Sequence, residues 1–332
     1  MYNSAGVVTK AYILHENPEW VVPLKAELDN LGVPHADWLL DGGTVPLDDA
    51  PPEGVFYNRM SASSHTRNHR HAPELALATL NWLELHERRV LNRRGALHLE
   101  VNKMAQYRAL KDAGVRVPRT VAAVGEGNLP LAAEQLGMAP FLIKPNRGGK
   151  GAGVRLFNSV AELVDHAREV PEAERPIDGV WLVQQYIKPS DNRITRCELV
   201  DRELLYAVLV DTSDGFELCP ADVCRIEDAP GGANFEVDPA SAGAAAEANK
   251  FVISREFSEP ELIAGYQRVM RDNHIHIAAF EFVRGADGAT YTYDLNTNTN
   301  YNQRAELEAG VEVGGMARIA RYLGRELERI KA

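Results

Sequence analysis

The segment Asn146-Arg147-Gly148-Gly149-Lys150-Gly151-Ala152-Gly153 follows Lys144, which ends the apolar run Phe141-Leu142-Ile143. Glycine has no Cβ, so Gly148, Gly149, Gly151 and Gly153 leave backbone N–H groups open to wrap phosphate oxygens, while Lys144 and Lys150 add charge. An exposed hairpin turn has the same composition. Lys144 favours the ligand, because an unpaired ammonium at the end of an apolar strand is costly and a bound phosphate removes that cost. Lys103, at the start of a helical pattern, is a second candidate cation, although either lysine also reads as a solvated surface residue.

A second group lies near the other end of the chain. Glu281 sits in Ala278-Ala279-Phe280-Glu281-Phe282, and Asp294 and Asn296 are two apart in Tyr293-Asp294-Leu295-Asn296. Strand alternation places Asp294 and Asn296 on one face, and a hairpin through the turn at 285–288 brings Glu281 beside them. Three hard oxygen ligands on one sheet face suit Mg²⁺ carrying nucleotide phosphates; a polar, exposed sheet face is the alternative. Asn298, Asn300 and Asn302 continue the alternation although Asn is a poor strand former, so a function or an Asn-stabilised turn must offset it. Between the two groups, Leu182-Val183-Gln184-Gln185-Tyr186-Ile187 precedes Lys188-Pro189-Ser190-Asp191. Backbone groups of Gln185 and Ile187 are suited to adenine and Asp191 to ribose hydroxyls, as they would be on any edge strand.

Residues 59–71 hold three arginines and three histidines and no acid. Arg59, His65 and Arg67 are candidates for docking an anionic carboxylate substrate. A histidine metal site lacks accompanying Cys or carboxylate at ligand spacing, and a solvated basic loop is the remaining alternative.

The elements that must position these residues follow from periodicity and stop signals. Strands are expected at 7–14, 35–40 and 54–57, with helices at 19–31 and 73–89, which together make a small open α/β domain. The pattern changes near residue 100, with a helix at 103–113. Beyond it come a helix at 131–137, strands at 140–144 and 154–157 flanking the glycines, a helix at 160–169 and a strand at 180–187. Strand–loop–strand order around the glycines means a hairpin and excludes the strand–loop–helix of a P-loop or dinucleotide fold. Residues 229–250, rich in Ala, Gly and Pro, are expected to form a mobile loop. Strands at 204–211, 278–283 and 290–296 and helices at 259–271 and 313–330 complete the chain. No repeat of 20 to 50 residues is present.

Composition narrows the setting. The 332 residues suffice for about two or three domains at roughly 150 residues each. Apolar residues are 45% and charged residues 25%, and no apolar run approaches the ~18 residues of a membrane span. Lys10, His15, Glu16 and Asn17 interrupt any signal-like start. Cys197, Cys219 and Cys224 are too few for a disulfide framework or a four-cysteine zinc site, so a cytoplasmic setting is expected. The net charge of −11 opposes broad contact with nucleic acid, so anions must be met by local basic clusters.

The order of the pieces is more specific than any one of them. Lys103 opens a helix ending Ala-Gly-Val-Arg-Val-Pro. Phe-Leu-Ile-Lys-Pro-Asn-Arg-Gly-Gly-Lys-Gly-Ala-Gly-Val follows, then Val-Gln-Gln-Tyr-Ile, Arg196, Glu281 and Asp294-Leu-Asn296. This order resembles the ATP-grasp superfamily, and within it the glutathione-synthetase and RimK-like amino-acid ligases, over roughly residues 7–325.

The resemblance implies an α/β fold of the ATP-grasp type in three parts: an N-terminal substrate domain (1–100), a lid and central domain (101–187) and a C-terminal domain with the metal site (188–332). ATP would lie between the last two. Lys103 and Lys144 match the family's phosphate-contacting lysines, Gln184, Gln185, Tyr186 and Ile187 its adenine hinge, and Asp191 its ribose acid. Glu281, Asp294 and Asn296 match its magnesium ligands, with Mn²⁺ an acceptable substitute. Arg196 matches the arginine near the γ-phosphate.

Three departures stand out. Thr297-Asn298-Thr299-Asn300-Tyr301-Asn302 replaces the Pro-Gly continuation, making Asn298 and Asn300 candidate substrate contacts. The arginine segment that contacts the acyl phosphate has only Cys219-Pro-Ala-Asp-Val-Cys224-Arg225 as its counterpart, so Arg225 is assigned that role. The hinge Gln184-Gln185 lacks the usual acid.

The expectation is an ATP- and Mg²⁺-dependent ligase that joins a small-molecule or peptide carboxylate to an amine, with no nucleic-acid or membrane partner and with homo-oligomerisation compatible. A kinase-like member of the fold that gives a stable phosphorylated product, or a non-enzymatic ATP-binding regulator, is the alternative.

Overall fold

The computed structural model describes residues 9–149, 151–212, 250–254 and 256–331. Lys150, Cys219, Cys224, Arg225 and residues 229–249 of the expected loop lie outside the described residues.

The first unit is a parallel sheet of β1 (Lys10–His15), β2 (His35–Leu39), β3 (Gly54–Asn58) and β4 (Arg89–Leu91), in the order β2-β1-β3-β4. Helices α1 (Val22–Asn30) and α2 (Ala72–Leu85) connect the strands. β3 is buried along its whole length, as expected of a central strand covered on both faces. The chain order reverses between β1 and β3, so the carboxyl ends of these two strands open a crevice, the usual ligand position in open α/β sheets. His15, Glu16 and Asn17 leave β1 there, and Arg59 to Ser63 leave β3.

The helices α3 (Arg94–Glu100) and α4 (Lys103–Asp112) follow. Asn102 caps α4, its Oδ1 accepting from Ala105 N at 3.0 Å, which fixes Lys103 as the first helical residue. The second unit is an antiparallel sheet of β5 (Thr120–Val124), β6 (Phe141–Pro145), β7 (Arg155–Phe157) and β8 (Val180–Gln185), ordered β5-β8-β6-β7. It is backed by α5 (Leu129–Leu136) and α6 (Val160–Arg168). β6 and β7 form the expected hairpin, joined by the glycine loop.

The third unit is a five-stranded antiparallel sheet of β9 (Arg193–Val200), β10 (Glu203–Asp211), β11 (Phe251–Ser254), β12 (Ile277–Arg284) and β13 (Thr290–Asn296), in the order β11-β10-β9-β12-β13. Its helices are α7 (Pro260–Asp272), α8 (Gln303–Glu308) and α9 (Gly315–Lys331). α9 buries Ile319, Leu323 and Leu327 in one core with Ile13 and Leu24 of the first unit and Val200 and Ile277 of the third. α4 and α7 pack against the other face of the five-stranded sheet.

Sequence periodicity missed β4, β5, α3, β11 and α8: these strands have five residues or fewer and these helices fewer than two full turns, too short for a period to stand out. It also missed β9, whose charged residues hide an almost wholly buried strand. The asparagine alternation does not continue the strand. β13 ends at Asn296, and Asn302 Oδ1 caps α8 through Ala305 N at 2.8 Å.

Candidate active site

A cavity of about 350 Å³ opens where the three units meet. The hairpin register places Glu281 directly opposite Asp294, and Ala279 opposite Asn296. Antiparallel pairing with β9 sets Arg196 opposite Glu281 on the other side. A carboxylate face is thereby built from three adjacent strands, all rigid core elements.

Its charges are paired. Arg196 donates from Nε to Glu198 Oε1 at 2.6 Å, from Nη1 to Glu281 Oε1 at 2.6 Å, and from Nη2 to Thr299 Oγ1 at 2.9 Å. Burial opposes the guanidinium charge, but Glu198 and Glu281 outweigh it and push the Arg196 pKa further up. Burial raises the pKa of Glu281 despite Arg196. Lys103 Nζ donates to Asp294 Oδ1. Burial also opposes the Lys103 charge, yet the Asp294 carboxylate holds its pKa above the ordinary lysine value. Asp294 itself is lowered, because Lys103 and Lys144 outweigh its burial. Asn296 Nδ2 lies 3.5 Å from Glu281 Oε1, which turns its Oδ1 away from that carboxylate.

Lys144 is different. It is 6% exposed and lines the cavity, with its ammonium over the rings of Tyr107 and Tyr293 at 5.4 and 5.8 Å. Among the described residues it has no carboxylate within salt-bridge distance. Burial, reinforced by the charge of Lys103, pulls its pKa down from 10.5 to about 7. An anion arriving in the cavity would reverse that shift.

Asn146, not among the residues singled out from sequence, holds the two lysines in register. Its carbonyl accepts from Lys103 N at 3.3 Å, its Oδ1 accepts from Met104 N at 3.1 Å, and its Nδ2 donates to Asp178 at 2.8 Å. The glycine loop turns through left-handed conformations at Gly151 (φ 76°) and Gly153 (φ 74°), which favour residues without a Cβ. Arg147 Nη1 donates to Glu74 at 2.9 Å and Nη2 to the Arg70 carbonyl at 3.3 Å, tying the loop to the first unit.

Of the residues singled out from sequence, the cavity wall includes Lys103, Lys144, Gly148, Gly149, Gly151, Gln184, Gln185, Tyr186, Ile187, Arg196, Glu281, Asp294, Asn296, Asn298 and Asn300. Gly153 belongs to the turn behind it. Asp191 stands on an exposed turn, accepting from Arg193 N at 3.2 Å, and the neighbouring Asn192 lines the cavity in its place. At the hinge, Gln185 N donates to the Arg119 carbonyl at 2.8 Å and Tyr186 N to the Pro140 carbonyl at 3.4 Å, so a backbone donor to a ligand must come from Ile187.

The basic segment also departs from expectation. Arg59, 1% exposed, lies off the cavity wall with its guanidinium engaged by Trp20, Asn298, Thr299 and Asn300. Arg67 binds buried Glu16 through Nε and Nη2 and stacks 4.5 Å from the Trp20 ring. His69 meets the same carboxylate at 3.0 Å. His65 is half-buried and off the wall, its pKa lowered by burial and by Arg147. Trp20, Ser61, Ala62 and Ser63 instead bring the first unit to the cavity. The sequence signal that could have located them is their position just past the ends of β1 and β3, at the reversal of strand order.

No cluster of three or more His, Cys, Asp or Glu suited to a metal exists among the described residues. The set that fits a hard divalent cation is Glu281, Asp294 and the amide oxygen of Asn296, each with one oxygen outside the bonds described above.

Solved structures share this fold. A RimK domain ATP-grasp protein from Sphaerobacter thermophilus superposes with a TM-score of 0.62 at 17% identity, covering 95% of this chain and 99% of its own. The ATP-grasp ligase PsnB, complexed with a minimal precursor, gives 0.64 at 16% identity over 96% and 99%. The chain therefore has the ATP-grasp fold. Among curated proteins, a probable alpha-L-glutamate ligase of Enterobacter sp. (strain 638) is 30% identical over 125 residues, 38% of this chain and 40% of that protein. One from Xanthomonas campestris pv. campestris is 28% identical over 114 residues, 34% and 38%. The matches thus span less than half the length of these relatives. No family model matches the chain. No described helix is long and apolar enough to cross a membrane.

Proposed function

We propose that the protein is an ATP-dependent carboxylate–amine ligase that forms an amide bond through an acyl phosphate, on amino-acid or peptide substrates. The observation that carries this reading is the placement of Lys144: a buried ammonium without a carboxylate partner, beside a glycine loop, facing a carboxylate wall across one cavity. Such a site is complementary to a polyphosphate with a divalent cation and to little else. Glu281, Asp294 and Asn296 would hold Mg²⁺, which neutralises phosphate charge when bound. Lys103, Lys144 and Arg196 add fixed positive charge around the transferring phosphoryl group, and the glycine loop covers it so that water is excluded. The likeness to a ligase solved with a minimal precursor, Mg and ADP, and the partial likeness to glutamate ligases, support the choice of ligase over other phosphoryl transfers.

The decisive experiment screens amino acids and dipeptides for ADP release with ATP and Mg²⁺, with hydroxylamine present to trap an acyl phosphate as a hydroxamate. Hydroxamate that depends on ATP, Mg²⁺ and one carboxylate is the expected outcome. A stable phosphate ester formed without any amine requirement would replace this reading with a kinase.

A further inference from the structure

Arg59 donates to four acceptors on two sides of the unit boundary. Nη1 reaches the Trp20 carbonyl at 3.1 Å, Nη2 reaches the Thr299 carbonyl at 3.0 Å and Asn300 Oδ1 at 2.6 Å, and Nε reaches Asn298 Oδ1 at 3.0 Å. A guanidinium can only donate, so at both asparagines the atom facing Arg59 must be the amide oxygen. The orientation of each amide is fixed by chemistry, and each NH₂ group points away from the arginine. Neither NH₂ makes a hydrogen bond within the protein among the described residues, and both residues line the cavity. Neither nitrogen is a buried orphan, so both reach open space.

Two amide donors therefore stand on the cavity wall, on the turn that follows Asn296 at the end of β13. Thr299, between them, is bonded through Oγ1 to Arg196, which ties this turn to the carboxylate face. Donors attract an oxygen and repel an ammonium, so of the two substrates of a ligase the carboxylate belongs here and the amine does not. Arg59 stands behind the amides and polarises them without touching the ligand. A carboxylate held by neutral donors keeps more of its negative charge, and with it its reactivity toward phosphorus, than one paired directly with a guanidinium.

We propose that Asn298 and Asn300 are the donors that receive the carboxylate of the substrate, and that Arg59 is a positioning residue that turns both amides toward it. This rests on the ligase reading above.

Asn298→Asp and Asn300→Asp separate the donor role from a structural one. Each keeps an oxygen for Arg59, now as an ion pair, and replaces the NH₂ with a second acceptor. Acetate serves as the probe, titrated into ¹⁵N-labelled protein with and without Mg²⁺ and ADP, against sodium chloride at equal ionic strength. The side-chain amide signals, assigned through the two Asp variants, should shift saturably with acetate and not with chloride. In either Asp variant acetate should bind about tenfold more weakly, as expected for loss of a hydrogen bond to a charged group, with ADP affinity unchanged. Arg59→Lys, which keeps the charge and loses the fork, should also lose the acetate response. Amide signals that ignore acetate, or Asp variants that bind it as tightly as wild type, overturn the proposal, and the wild-type titration decides even if a variant fails to fold. No turnover is needed, so a failed hydroxamate assay rejects the ligase reading separately, while hydroxamate formation without an acetate response rejects only this seat.

Discussion

Two basic regions of the molecule look alike in sequence and behave oppositely in structure. Arg59 and Arg67, in the acid-free stretch 59–71, are wholly engaged by protein acceptors: Arg59 by carbonyl and amide oxygens, Arg67 by Glu16. Lys144, near the end of β6 beside the glycine loop, is a buried cation with no hydrogen-bond acceptor for its ammonium among the described residues. Availability for a ligand thus depends on acceptors the chain brings from elsewhere. Three of the four residues that Arg59 meets, Asn298, Thr299 and Asn300, come from 239 or more positions away. A buried cation that is fully hydrogen-bonded holds structure together, while a buried cation that is not stores an unfavourable energy that a ligand can release.

This contrast makes opposite predictions for removing the two charges. The largest effect is expected for Arg59→Ala, which leaves buried acceptors on both sides of a unit boundary unsatisfied. A loss of about 3 to 5 kcal/mol in urea-unfolding stability follows from such a deletion. A loss below about 1 kcal/mol would mean that Arg59 is not the brace the geometry indicates.

Lys144→Met should do the reverse to the protein alone and weaken nucleotide binding. ADP affinity with Mg²⁺ should fall roughly ten- to a hundredfold by calorimetry, as expected for loss of a charge-assisted bond. Unchanged affinity would place Lys144 outside the phosphate site.

Its pH dependence carries the sign. The folded-state pKa, about 7, lies below the ordinary 10.5, so the folded protein binds fewer protons than the unfolded chain between those values. The destabilising contribution of Lys144 is therefore complete below pH 7 and fades as pH rises toward 10.5. The stability gained by Lys144→Met should be largest near pH 6 and vanish above pH 10. A gain that is independent of pH would contradict the depressed pKa.

The smallest effect concerns the proton itself. At pH 8 Lys144 is mostly neutral in the free protein, and bound phosphate should restore its charge. ADP binding measured in buffers of different ionisation enthalpy should then take up about one proton at pH 8 and much less at pH 6. The uptake should disappear in Lys144→Met, and its persistence there would assign the titration to another group.

Much of the site was legible in order and spacing. Period-two alternation set Asp294 and Asn296 on one face, and a short turn fixed Glu281 across from Asp294, because a hairpin register is a local property. The glycine hairpin and the helix starting at Lys103 were legible for the same reason, since loop residues and caps act within a few positions. The elements β4, β5, α3, β11 and α8 were not, because each is too short for a period to stand out.

What the sequence could not determine is which charges remain free. Arg59, His65 and Arg67 have the residue types of an anion site, yet they lie off the cavity, and Asp191 gives its place to Asn192. Glu16, Glu198 and Asn146 carried no signal at all, though they fix Arg67, Arg196 and the two lysines. A side chain's charge is written in the sequence, but its desolvation and its partners are sums over every neighbour the fold brings within a few ångströms, and most of those neighbours are remote along the chain.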